Sequence, residues 1–167
     1  ILVAMNQAFS WGPMGFVLVD NSFYYLLIAI FLPISFLVFP ARKADQFKVP
    51  FYDWILFAVT LVSAMYMAYH GIDMVEQGWD LGAPDEPTLV AAMICFLSLE
   101  AVRRAGGFAL FVIVAMFFLF PLWTESAPGF LWGVGKSPEE LVRSHAMGFE
   151  SIIGVPMRVA GNLLIGF

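Results

Sequence analysis

Apolar runs of roughly membrane-crossing length, parted by short polar breaks, dominate the chain. About 20 helical residues at 1.5 Å each cross some 30 Å of hydrocarbon, and the sequence divides on that scale. Residues 1–11 read as the outgoing end of a first helix, which Gly12 and Pro13 break. Residues 14–19 form a short apolar segment suited to the interface. Residues 22–40 make a clean span with Pro33 inside it as a potential kink. Residues 53–73 make the next, with Asp53 as N-cap and Trp54 as an interfacial anchor. Residues 88–104 follow, then residues 108–123 after a break at Gly106 and Gly107. A further span starts within residues 151–167. The pattern predicts an all-α, polytopic transmembrane bundle of four to six membrane helices.

One polar connection carries its own helix signal. Ser137, Pro138 and Glu140 spell an N-cap, an N1 proline and a capping-box acid. Leu141, Val142 and His145 follow at helical spacing. The expectation is a short amphipathic helix lying on the outer membrane surface, with His145 solvated.

Composition agrees with the pattern. Of 167 residues, 61% are hydrophobic and only 13% are charged, against roughly 45–50% and 25% in soluble domains. Too few ionic groups remain to solvate a compact surface. Length fits a single core. The net charge of −5 gives no footing for nucleic acid. Cys95 stands alone in an apolar run, which leaves no disulfide or metal framework.

Charge placement sets an orientation. Arg42, Lys43 and Lys48 in one loop and Arg103 and Arg104 at one turn make five of the eight basic residues. The loop at 75–87 holds Glu76, Asp80, Asp85 and Glu86 and no base. By the positive-inside rule, 41–52 and 103–107 face the cytoplasm, while 75–87 and 124–150 lie outside.

Ionisable groups within membrane helices are the places to look for chemistry. Glu100, Arg103 and Arg104 share a helical face at i, i+3 and i+4, with the acid N-terminal to the bases. They read either as a coupling or substrate site or as a structural ion pair near the interface. His70 and Asp73, one turn apart, read as a proton relay or as a polar helix end. Arg158, in the last apolar run, either snorkels to the headgroups, pairs with an acid such as Glu150, or packs against a partner subunit. No phosphate cradle, nucleophile–base pair or metal-ligand spacing is present in the sequence. The expectation is therefore a non-enzymatic membrane protein with no cofactor, no metal site and no catalytic residue.

Four motifs resemble one family. Phe39-Pro40-Ala41-Arg42-Lys43, Pro50-Phe51-Tyr52-Asp53-Trp54, the run from Glu100 to Gly107, and the run from Glu150 to Pro156 stand in the order and spacing of fused permeases of tripartite ATP-independent periplasmic (TRAP) transporters, TAXI-type branch. The resemblance implies a small Q-type membrane domain over residues 1–150 and the threshold of a large M-type domain over 151–167. It also implies an M-type partner carrying sodium and substrate sites, and a periplasmic binding protein that delivers an organic anion. Glu100, Arg103 and Arg104 then belong to the scaffold, in a bacterial inner membrane. Arg158 and Asn162 depart from the small residues usual after the Gly154-Val155-Pro156 motif. The alternative is a TRAP-derived protein serving as a structural subunit of another membrane complex, respiratory or photosynthetic.

Overall fold

The computed structural model describes residues 20–41, 49–148 and 159. Residues 1–19, residues 42–48 with the basic Arg42, Lys43 and Lys48, and residues 149–158 and 160–167 with Glu150, Arg158 and Asn162 lie outside the described residues. All regular structure among the described residues is helical. Among the described residues, three helices are long and apolar enough to cross a membrane.

Helix α1 spans Asp20–Val38, and its run of Leu, Ile and Phe continues through Pro33 before Pro40 ends the apolar stretch. Helix α2 spans Phe51–Tyr69, and its N-cap is Pro50 rather than the expected Asp53. Asp53 sits one turn further in, with its backbone N–H on the Pro50 carbonyl at 3.1 Å. Thr60, Ser63, Ala64 and Ala68 form much of the buried side of α2. Such small residues let two backbones approach closely where lipid supplies no hydrophobic drive. The Thr60 hydroxyl donates back to the Leu56 carbonyl at 2.6 Å, so burying it strands no polar group.

The expected 53–73 span ends sooner than its hydropathy suggests. The chain turns at His70 and continues as α3, Gly71–Glu76. Trp79 tucks under this turn and is buried. It shares one apolar cluster with Met74, Ala64, Met67, Tyr25 and Ile28.

Helix α4 spans Asp85–Leu119, but Gly107 sits inside it at φ 78°, ψ 176°. That left-handed value suits glycine, which lacks the Cβ that would clash. The expected break is therefore real, and α4 consists of two arms, 85–106 and 108–119. The arms fold back on one another: Val114 and Phe118 line the same small cavity as Cys95, Ser98, Leu99 and Val102.

Helix α5 spans Pro138–Met147 and carries the predicted capping box in full. Its packing adds to the sequence reading. Leu141, Ala146 and Met147 are buried, and Ala146 and Met147 join the main core. The helix packs this face beside both arms of α4, while Pro138, Glu139 and Glu140 in its first turn stay exposed. The Tyr25 hydroxyl of α1 donates to the Ala146 carbonyl, satisfying an acceptor that the helix C-terminus leaves open.

Candidate functional site

The charges singled out in the sequence meet at the end of the bundle where α1 stops and α2 starts. Arg103 grips Glu100 with two bonds, Nε to Oε2 and Nη2 to Oε1, both 2.7 Å. Arg104 donates Nε to the same Glu100 Oε1 at 2.8 Å and Nη1 to Asp53 Oδ1 at 2.7 Å. The Nη1 group also reaches the Phe36 and Phe39 carbonyls at 3.5 and 3.4 Å. The guanidinium centre lies 5.0 Å from the Phe36 ring centroid, within cation–π range.

One side chain therefore ties three helices together: its own α4, the first turn of α2, and the last carbonyls of α1. Helix C-termini present a partial negative charge that a cation offsets. Side-chain exposure is 2% for both Arg104 and Asp53, against 20% for Glu100 and 35% for Arg103. A buried charge is tolerable only when paired and hydrogen-bonded. Two acids and two bases make the cluster neutral, and bidentate geometry of this kind favours arginine over lysine. Beneath it, Phe36, Leu97 and Ala101 form a second small core.

Sequence reasoning found three members of this clamp and missed the fourth. Asp53 was legible only as a helix start. The available signal was topological: charge placement assigned 41–52 and 103–107 to one face, so a carboxylate opening α2 had to lie level with Arg104. Arg158 falls outside the described residues.

The other end of the bundle has its own polar contacts. His70 Nδ1 and Asp73 Oδ2 are 2.7 Å apart, and the imidazole lies against the Tyr66, Tyr69 and Trp79 rings at 4.6, 5.1 and 5.7 Å. This is a half-exposed helix end rather than an enclosed relay. Arg143 joins α5 to α4 through the Thr88 hydroxyl at 2.9 Å and pairs with Glu139 at 3.0 Å.

His145, expected to be solvated, is half-buried. It packs on Phe118 with centroids 4.7 Å apart, and its Nδ1–H donates to the Leu141 carbonyl at 2.8 Å. Burial pushes its pKa below the ordinary value, and nearby Lys136 adds to the effect. Glu140, in the capping box, is held below the usual carboxylate range by the Ser137 backbone N–H and then by the Ser137 side chain.

The cavity between the arms of α4 and His145 measures about 100 Å³, far below the roughly 300 Å³ at which small-molecule sites begin. Among the described residues no group of three or more His, Cys, Asp or Glu side chains is placed to hold a metal ion. No protein-family model matches the chain, and neither a curated protein nor a solved structure matches it significantly.

Proposed function

We propose that this chain is the small, non-transporting membrane domain of a TRAP-type uptake system, a scaffold that braces a larger transport domain. The observation that supports this reading is the clamp. Its acids and bases pair with one another and with backbone carbonyls, so the clamp fixes helices, and neither of its arginines is left without a carboxylate partner. On this reading the chain is not an enzyme and holds no cofactor. Counting the arms of α4 separately gives four membrane segments among the described residues, the lower bound of the expected four to six. The clamp end faces the cytoplasm of a bacterial inner membrane by the positive-inside rule.

A second reading, a structural subunit of another membrane assembly, draws on the outer stripe of α2. Phe51, Ile55, Val62, Met65 and Tyr69 recur at steps of three, four or seven, and each is 48% exposed or more. That spacing suits a helix–helix seam as well as lipid.

Native mass spectrometry of the complex extracted from its membrane separates the two. A polypeptide several times longer than this sequence, or a tightly held large multi-helix subunit, is the expected result. A short chain held among unrelated membrane proteins would overturn the transporter reading in favour of the second.

A further inference from the structure

The two connections at the Asp85 end of the bundle have opposite chemistry. The 75–87 connection is acidic, with Glu76, Asp85 and Glu86 exposed to water. The segment from Ser126 to Gly135 contains no charged residue. It displays Phe130 at 95% exposure, Val134 at 79% and Trp132 at 64%. Its backbone is nonetheless closely organised.

The arms of α4 explain the contrast. At 1.5 Å per residue the 85–106 arm rises about 33 Å, enough to cross the hydrocarbon. The 108–119 arm rises only about 18 Å, and the 3₁₀ turn at Phe120–Leu122 adds about 6 Å. Both arms start from the Gly107 turn, so the second gives out roughly 9 Å below the level of Asp85. Phe118 beside Cys95 in the shared cavity is consistent with that register. The connection after Leu122 therefore begins at membrane depth.

Irregular backbone at that depth must satisfy its own polar groups, and this segment does so with successive tight turns. Ser126, Ala127, Leu131 and Trp132 donate three residues back. Gly133 N–H reaches the Thr124 carbonyl, Lys136 N–H the Pro121 carbonyl, and Gly135 N–H the Glu125 carboxylate. Thr124 is buried, and its hydroxyl lies within bonding distance of the Pro121 and Val134 carbonyls.

We infer that residues 120–137 form an interfacial foot, immersed at the headgroup–acyl boundary of the leaflet at the Asp85 end, with Phe130, Trp132 and Val134 against phospholipid. Tryptophan suits that layer, and phenylalanine serves on the apolar side of interfacial segments. The uncharged tip gives a protein partner no electrostatic handle.

Nitroxide accessibility tests the foot in the full chain reconstituted in phosphatidylcholine vesicles. Labels are placed at Phe130→Cys and Val134→Cys in a Cys95→Ala background, with Leu81→Cys, 84% exposed on the acidic connection, as the aqueous control. The expected result is a several-fold higher ratio of oxygen to nickel-chelate collision at 130 and 134 than at 81. A ratio equal to that at 81 would put the loop in water and overturn the inference. Protection from both relaxers would mean that protein covers it, and would overturn it equally. Should the labelled variants fail to fold, bromolipid quenching of the native chain and of Trp132→Phe replaces them. Quenching by shallow-brominated lipid that falls with the substitution supports the foot, and unchanged quenching rejects it.

Discussion

Arg104 concentrates more of the bundle's organisation than any neighbouring side chain, because its partners lie on three helices. Truncating one member of a buried ion pair costs about 3–5 kcal/mol, since the other charge stays behind unpaired. Arg104→Gln is therefore expected to destabilise the protein by that order in a detergent unfolding titration. Asp53→Asn combined with Arg104→Gln is expected to cost less than the sum of the two single changes, because no charge is stranded. Additive costs would mean that the two groups do not interact. His145 gives a pH prediction. Its folded-state pKa is lowered by burial, so the unfolded or undocked helix takes the proton more readily. Stability then rises with pH across this window: it is complete above the ordinary histidine value and drains away as pH falls below about 6.5. Amide exchange across 138–147, corrected for intrinsic rate, is expected to speed up at about pH 5.5, and His145→Gln is expected to flatten that response. These two residues also mark what sequence can and cannot convey. Glu100, Arg103 and Arg104 are legible because i, i+3, i+4 spacing is local geometry. Asp53 and His145 took their environments from other helices, through Arg104 and Phe118, and no local pattern encodes a cross-helix register.

At the scale of elements, punctuation was legible and depth was not. The Gly106 and Gly107 break and the Ser137 capping box rest on backbone chemistry that sequence displays directly. The docking of one face of α5 rests on Tyr25, Cys95 and Phe118, which lie up to 121 positions away. The early end of α2 at His70 is likewise tertiary, set by Gly71 packing on the start of α1. A Cβ on Gly71 would stand 2.2 Å from the Ser22 Oγ and 2.8 Å from its backbone nitrogen. The hydroxyl can rotate away but the backbone cannot, so Gly71→Ala is expected to cost about 1–3 kcal/mol by overpacking. Gly107→Ala meets no neighbour, yet forces an L-residue to φ 78° at about 1–2 kcal/mol. Thermal unfolding of the two variants measures the totals. Cross-linking between Leu99 and Val114 then separates the causes, since only the Gly107 variant is expected to alter the approach of the α4 arms.

Among the described residues the buried charge cluster lies at one end, the acidic connection at the other, and apolar faces of α2 and α4 between them. Arg104, bonded to α1, α2 and its own α4 at once, opposes sliding between these helices, as the proposed frame role requires. A substrate site needs a group left over for the ligand, whereas here Glu100 accepts from both arginines. The difference is testable because the two roles load different measurements. If Glu100 belongs to the frame, Glu100→Gln weakens the hold on Arg103 and Arg104 and lowers the yield of intact complex, while sodium-dependent anion uptake per surviving complex keeps its apparent affinity. If Glu100 belongs to a site, the complex survives and affinity falls. Uptake in vesicles supplied with the binding protein, normalised to the amount of intact complex, decides between them. We expect the first outcome, because the bidentate Arg103–Glu100 pair and the Arg104 bridge leave this carboxylate fully engaged in holding helices.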